Sequence, residues 1–193
     1  CVQKPYTKGD LGDYERDLID RYNHGELMSA DSIHFPDSLK YKTLVTHRTV
    51  YGGGGIMPDQ FVPVDTTHYS AYHRDLVAAG LVNRVAMNYL DKNRKQLMKN
   101  YPDIKHYKAG FEVTENLLTE LIDMGTKEKI TYKPDQFEKV KSIIKLQIKA
   151  LIARDLYDMS EYYQVINDEN DSFKEALRII NEDNLYNKKL GKI

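Results

Sequence analysis

Cysteine is nearly absent from this 193-residue sequence, and tryptophan is missing altogether. The single cysteine is Cys1, so no internal disulfide can form. One cysteine also leaves the redox compartment undetermined. Zinc sites built from several thiolates are excluded for the same reason.

Long apolar runs and an excess of one charge are lacking as well. No run approaches the roughly 18 to 20 apolar residues that cross a bilayer, and no signal-peptide pattern is visible at the start. The formal net charge of -1 argues against a nucleic-acid surface, because clustered Lys and Arg carry phosphate contacts. The composition, with 41% hydrophobic and 30% charged residues, is that of a globular chain with a sizeable core.

The first residue is not Met, so we expect the chain to be processed or cut from a longer one. One interpretation is a lipoprotein, whose mature form begins with a lipidated Cys. The other is a chain boundary that happens to fall on Cys1. A lipid anchor is usually followed by a flexible tether, whereas residues 2–6 resemble a strand end entering a turn, which favours the boundary.

The residue pattern changes near position 67 and predicts two parts. Residues 1–66 are irregular, with a helix predicted over Asp13–Tyr22 and β-prone runs at 42–45 and 48–51 that form a hairpin. Residues 67–193 predict a multi-helix domain, and the expected fold class is mainly α. Its predicted helices cover 69–79, 81–100, 114–125, 134–157, 159–167 and 172–180, and the tail after Asn181 is expected to fray.

Local signals within these helices come from caps and apolar stripes. Gly80 and Gly125 are predicted to end helices, Thr114 to cap one, and Pro134 to occupy a first turn. The longest apolar stripe runs at steps of three and four, through Phe137, Val140, Ile144, Ile148, Leu151 and Ile152. Such a stripe predicts one long helix that is buried along one side.

Four successive glycines, Gly52 to Gly55, form the most unusual local feature. A phosphate-binding loop would be followed by Lys-Ser/Thr and a helix, but Ile-Met-Pro-Asp and an extended segment follow here. We therefore interpret the run as a bulge or a close backbone approach.

Metal sites and a catalytic triad find little support in the sequence. His68 and His73 are five residues apart, which places them on different faces of a helix. The acidic residues at positions 13, 15, 17 and 20 lack the glycine and the terminal glutamate of a calcium loop. Ser70, His73 and Asp75 lie on one predicted helix and cannot converge on a substrate carbonyl.

The 15 tyrosines allow a binding role. Tyr162 with Tyr163, and Tyr69 with Tyr72, could line a peptide-binding groove. Half-buried tyrosines with the hydroxyl in water are the commoner arrangement.

Residues 48–59, with the sequence RTVYGGGGIMPD, resemble a signature of C-terminal processing peptidases. In that family a Gly-Gly-Ile-x-Pro-Asp stretch, followed by a hydrophobic extended segment, lies late in the catalytic domain. The segments at 1–6 and 31–36 and the helical run at 145–154 also resemble the Bacteroidetes branch of the family. The resemblance covers nearly the whole chain.

The resemblance implies a serine endopeptidase parent in which a Lys activates the nucleophilic Ser. The family's Ser-Ala-Ser-x-Glu and Phe-Gly-Lys segments are absent here, and by family order both precede Cys1. We therefore expect no catalytic, cofactor-binding or metal residue in this chain. Residues 1–66 would be the end of the catalytic domain and 67–193 a helical C-terminal domain.

The same resemblance implies an extracytoplasmic location, in the periplasm or cell envelope, and protein or peptide substrates for the parent. Self-association of the chain is a further expectation, because many apolar stripes are carried by a short segment. The alternative is a non-enzymatic helical module that binds a peptide or partner through its tyrosines. A third interpretation is a parent that lacks the catalytic Ser.

Overall fold

The computed structural model describes residues 12–53, 57–67 and 69–191. The chain divides into two compact units. The first consists of the residues up to Asp65 together with those from Asp171 onward, and the second spans Thr66–Asn170. The domain boundary that we placed at 66/67 concerns the parent protein and stays a prediction.

The described residues form nine α-helices and one two-stranded sheet, which confirms the predicted mainly α fold. The helices are α1 (Gly12–Asn23), α2 (Ala71–Ala78), α3 (Leu81–Asn100), α4 (Ile104–Gly110), α5 (Glu115–Lys127), α6 (Pro134–Leu156), α7 (Met159–Ile166), α8 (Asp171–Asn181) and α9 (Leu185–Lys189). Short 3₁₀ turns lie at Ala30–Ser32, Asp37–Leu39 and Asn167–Glu169. None of the described helices combines the length and the apolar content needed to span a bilayer.

The first unit contains the hairpin of β1 (Lys40–Lys42) and β2 (Thr49–Tyr51). The strands are antiparallel, and Tyr41 pairs with Val50. Strand β1 begins two residues before the β-prone run at 42–45, because 43–48 form the turn. Thr43 closes that turn, since its Oγ1 lies 3.0 Å from Thr46 Oγ1 and accepts the Arg48 N–H at 3.0 Å.

The second unit is a helical bundle centred on α6. This helix packs against α2, α3 and α7, while α3 also packs against α2 and α5. Pro134 occupies its first turn, as predicted. Of the predicted stripe, Leu151 is half-buried, and the other members are each at most 2% exposed, namely Phe137, Val140, Ile144, Ile148 and Ile152. The predicted long helix is therefore confirmed, and its apolar side is the centre of the core.

The prediction that Gly125 ends α5 is wrong, because the helix continues to Lys127 and Gly125 is buried within it. A Cβ at this position would lie 2.9 Å from Leu76 Cδ2 and 3.6 Å from Tyr72 Oη. The glycine therefore permits close packing of α5 against α2. Thr114 occupies the predicted N-cap position, but its side chain makes no capping bond.

The polar tail also differs from the expectation. We expected fraying after Asn181, but residues 185–189 form α9 within the first unit. Asn184 has a left-handed φ of 63° at the turn between α8 and α9. Its carbonyl accepts the Lys188 N–H at 2.8 Å, so the turn and the helix are joined by backbone bonds.

Two buried tyrosines of the core differ in their hydroxyl partners. The Tyr107 hydroxyl donates to Lys149 O at 2.8 Å, and burial raises the pKa of Tyr107 well above its usual range. The Tyr72 hydroxyl is buried without a partner among the described residues. A buried polar group without a partner loses hydration and gains nothing in return.

We predict opposite effects of removing these two hydroxyls. Tyr107→Phe should lower the free energy of unfolding by about 1 to 2 kcal/mol, because a buried hydrogen bond is lost. Tyr72→Phe should leave it unchanged or raise it by up to about 1 kcal/mol, because no bond is lost. Urea titration followed by circular dichroism measures both variants. A larger loss for Tyr72→Phe than for Tyr107→Phe would contradict this assignment.

An ion-pair cluster joins the start of α5 to α6. Glu115 accepts from Lys145 at 2.8 Å and from Lys141 at 2.9 Å. These hydrogen bonds lower the pKa of the Glu115 carboxyl below 4.5, its ordinary value. The negative charge also lies at the N-terminal end of α5, where the helix dipole favours it.

We predict that the contribution of Glu115 to stability depends on pH. Because the folded-state pKa is lowered, the contribution is present above the unfolded-state value and is lost as the pH falls through the folded value. Glu115→Gln should therefore destabilise the chain near neutral pH and converge with wild type in acid. Denaturant titrations across that range provide the measurement.

Glu120→Gln is the matched control, since Glu120 lies on the same helix and has no ion pair among the described residues. It should change the neutral-pH stability less than Glu115→Gln does. Equal effects of the two substitutions would show that the lysine pair contributes nothing specific.

Candidate functional site

The glycine segment after β2 lies in a tight backbone environment. The Gly52 N–H donates to Leu39 O at 3.0 Å. Gly53 has a left-handed φ of 81°, and a Cβ there would lie 3.0 Å from Leu39 Cδ1. This geometry agrees with the close-approach interpretation for these two glycines. Gly54, Gly55 and Ile56 lie outside the described residues.

An arginine brings the two ends of the resemblance segment together. Arg48, its first residue, forms an ion pair with Asp59, its last. The same guanidinium donates from Nη1 to Lys189 O at 3.0 Å. The Lys189 ammonium in turn bonds the Gln60 amide oxygen. Arg48 thus fixes the hairpin, the segment from 57 onward and the end of α9 within one unit.

An apolar groove of about 460 Å³ lies in the first unit. We define it by its main lining side chains, Leu27, Ile33, Phe35, Phe61, Val62 and Ile179. The volume falls within the usual range of ligand pockets, about 300 to 1,000 Å³. This groove was not expected from the sequence, because its walls come from segments far apart in the chain.

The charged groups at the groove are already paired. Arg21 Nε lies 3.0 Å from Glu26 Oε2, and Arg178 donates to both oxygens of Glu175 at 2.8 Å. The bonds from Arg178 lower the pKa of the Glu175 carboxyl. Ser172 is the one hydroxyl-bearing residue among the described lining, which includes no histidine or lysine to activate it. The arrangement suits apolar contact rather than bond cleavage.

Ser70, His73 and Asp75 have separate structural roles. Ser70 Oγ accepts the His73 N–H at 3.3 Å as the N-cap of α2. The His73 ring Nε2 lies 2.8 Å from Gln147 Oε1, and the Asp75 carboxylate accepts from Arg74. The three side chains do not bond one another. The arrangement stabilises α2 and contains no nucleophile–base pair.

Two glutamines of α6 hold α2, and the sequence did not identify them. Gln136 Oε1 accepts the Tyr72 N–H at 2.9 Å and the Ser70 hydroxyl at 3.4 Å. Gln147 contacts His73 about three turns further along. Both glutamines lie outside the apolar stripe of α6 and belong to no recognisable motif. The sequence therefore gives no signal that distinguishes them from exposed polar residues.

The metal candidates are not brought together in the described part of the chain. No group of three or more His, Cys, Asp or Glu side chains that could hold an ion occurs there. His68 and the side chain of Asp13 lie outside the described residues, as does Cys1. His24, His34 and His47 are exposed, as expected for loop residues.

The tyrosine pairs are divided between core and surface. Tyr72 is 2% exposed and belongs to the core, so it does not share an open groove with Tyr69. Tyr162 and Tyr163 form an edge-to-face pair with ring centroids 5.3 Å apart. Tyr163 is 55% exposed and Tyr69 is 59% exposed. These two are the tyrosines of the pairs that a partner could reach.

Comparison with known proteins gives a match to a protein family. Residues 72–158 match the model of a family of unknown function, DUF8443. The matched stretch lies inside the helical unit and covers less than half of the chain. No curated protein and no solved structure matches the chain. The family match thus concerns the helical bundle.

We predict that Arg48→Lys loosens the first unit selectively. Lysine keeps the charge, but its shorter and more flexible side chain does not hold a nitrogen at the fixed position from which Arg48 Nη1 bonds both Asp59 and Lys189 O. Hydrogen exchange should become faster at the amides of 49–53 and 185–191 and stay unchanged in 71–156.

Arg178→Lys is the control, because this arginine of the same unit bonds Glu175 and Glu182 and not the hairpin. It should leave exchange in 49–53 unaltered. Equal exchange in wild type and Arg48→Lys would remove the proposed role of Arg48 in fixing these segments.

Proposed function

We propose that this chain is the C-terminal, non-catalytic part of a serine endopeptidase of the C-terminal processing family. The observation that carries the proposal is the Gly-Gly-Ile-Met-Pro-Asp segment, followed by an extended stretch rich in Val and Phe. The Arg48–Asp59 ion pair across this segment supports its treatment as one structural element.

The hairpin before the glycines fits a position at the edge of a larger sheet. Its strands have three residues each, and isolated two-stranded hairpins are marginally stable in water. Tyr41 is 54% exposed and Val50 is 36% exposed on one face, so the hairpin buries little apolar area by itself. A parent sheet supplied by the preceding catalytic domain would cover such a face.

The helical unit serves as a scaffold in this proposal. It has its own core around α6, and among its described polar groups Ser70 caps α2 and Glu115 forms an ion pair with Lys145. The parent acts on proteins or peptides and is extracytoplasmic, as the family resemblance implies. The helical unit would pack on the protease core or mediate self-association.

A second candidate is a helical binding module without an enzymatic parent. It is favoured by the family match, which is confined to residues 72–158 and leaves out the glycine segment. Tyr69 and Tyr163 are exposed aromatic groups that such binding could use. Both are on the helical unit.

Activity of the longer gene product tests the peptidase proposal. We expect it to cleave protein substrates near their C-termini, and a Ser→Ala change at the nucleophile of the Ser-Ala-Ser-x-Glu type should abolish cleavage. Because kcat would be lost while substrate binding persists, peptide affinity should change little.

The 193-residue chain provides the comparison. Saturable binding of C-terminal peptides by this chain, weakened by Tyr163→Ala, with no peptidase activity in the longer product, would favour the module instead. Tyr186→Ala is a matched control, since Tyr186 is 51% exposed but lies outside the helical unit.

A further inference from the structure

The phase of the hairpin ladder determines where its backbone groups point. Tyr41 and Val50 are opposite each other. One backbone hydrogen bond lies on each side of this pair. The Gly52 N–H donates to Leu39 O, and the Thr43 N–H donates to Arg48 O, each at 3.0 Å. Bonded and non-bonded pairs alternate in an antiparallel ladder, so Val50 directs its N–H and C=O towards β1.

The alternate residues consequently turn their backbone groups outward. On β2 these are Thr49 and Tyr51, and on β1 they are Lys40 and Lys42. In the described part of the chain the Lys40 N–H donates to Asp37 O, whereas Lys42, Thr49 and Tyr51 have no backbone partner outside the hairpin. Strand β2 therefore presents a free edge of the kind that pairs with another strand.

The two edges differ in charge. Antiparallel self-pairing of β1 would place Lys40 opposite a second Lys42, and like charges directly opposite are destabilising. Lysine on an edge strand is a common device against such pairing. The other edge, Thr49-Val50-Tyr51, has no charge and consists of β-branched and aromatic residues that favour strands.

We propose that β2 pairs antiparallel with β2 of a second copy of this chain. Val50 lies at the two-fold axis, opposite the partner's Val50, and Thr49 exchanges backbone bonds with the partner's Tyr51. The outward groups of the strand fall in register in this arrangement, because residues 49 and 51 both point away from β1. The two hairpins then form one sheet with the lysine strands at its outer edges.

The occupant is a second copy because the edge is complementary to itself. The interface is isologous, so the same three residues supply both sides. Tyr41 and Val50 of the two chains form a continuous apolar row on one face of the joined sheet, where both are exposed in the single hairpin. The inference does not depend on the proposed function.

Disulfide trapping tests the register directly. In a Cys1→Ser background, Val50→Cys places two thiols at a non-bonded pair across the axis, within the Cβ separation that a disulfide spans. We expect cross-linked dimer to form roughly ten times faster than for Tyr41→Cys. Tyr41 is the matched control, because it is the facing residue on β1 and is more exposed, 54% against 36%.

Charge substitution provides an independent measurement by sedimentation over a concentration series. Val50→Lys puts two ammonium groups at the axis and should convert the dimer to monomer, whereas Tyr41→Lys should leave the dimer in place. Hydrogen exchange at the Thr43 and Gly52 amides verifies that the hairpin persists in each variant.

Three outcomes would overturn the pairing. A wild-type chain that stays monomeric at the highest concentration excludes it. Equal trapping of Val50→Cys and Tyr41→Cys assigns cross-linking to random collision. Loss of the dimer in Tyr41→Lys but not in Val50→Lys assigns association to another surface. None of these results bears on the peptidase proposal, which depends on activity of the longer gene product.

Discussion

Burial of one side of α6 is the constraint on which the helical unit depends. Five side chains of its stripe, from Phe137 to Ile152, are at most 2% exposed. Fully burying such a side chain contributes about 1.5 to 3 kcal/mol, less the entropy of ordering it. The helices α2, α3 and α7 take their positions from this surface. Polar groups on α6 then refine the packing, as Gln136 and Gln147 do at α2.

The first unit is organised by polar contacts to a larger degree. Arg48 bonds Asp59 and the carbonyl of Lys189, which are separated from it by 11 and 141 residues. Gly53 fits closely against Leu39 and has a left-handed φ, at which any side chain would be strained. Large apolar side chains remain exposed here, including Leu44 at 94% and Val45 at 87%. A strand edge with unpaired backbone groups and exposed apolar side chains are features of a protein surface that binds another protein surface.

Helical periodicity made the second unit predictable from the sequence. The stripe from Phe137 onward and the proline at its start determined α6, because period and cap agree. The prediction at Gly125 was wrong because the sequence alone does not distinguish a glycine that permits close helix packing from one that ends a helix. The apolar groove could not be predicted, because Leu27, Phe61 and Ile179 come together only in three dimensions.

The central claim is that this chain supplies scaffold and interaction surfaces while any catalytic serine lies elsewhere. Its most direct test is to incubate the 193-residue chain with a fluorophosphonate probe and an unfolded protein substrate. We expect no covalent labelling and no cleavage, because Ser70 is committed to capping α2 and Ser172 has no histidine or lysine beside it in the described lining of the groove. Stoichiometric labelling of one serine, with hydrolysis that the probe blocks, would contradict the account.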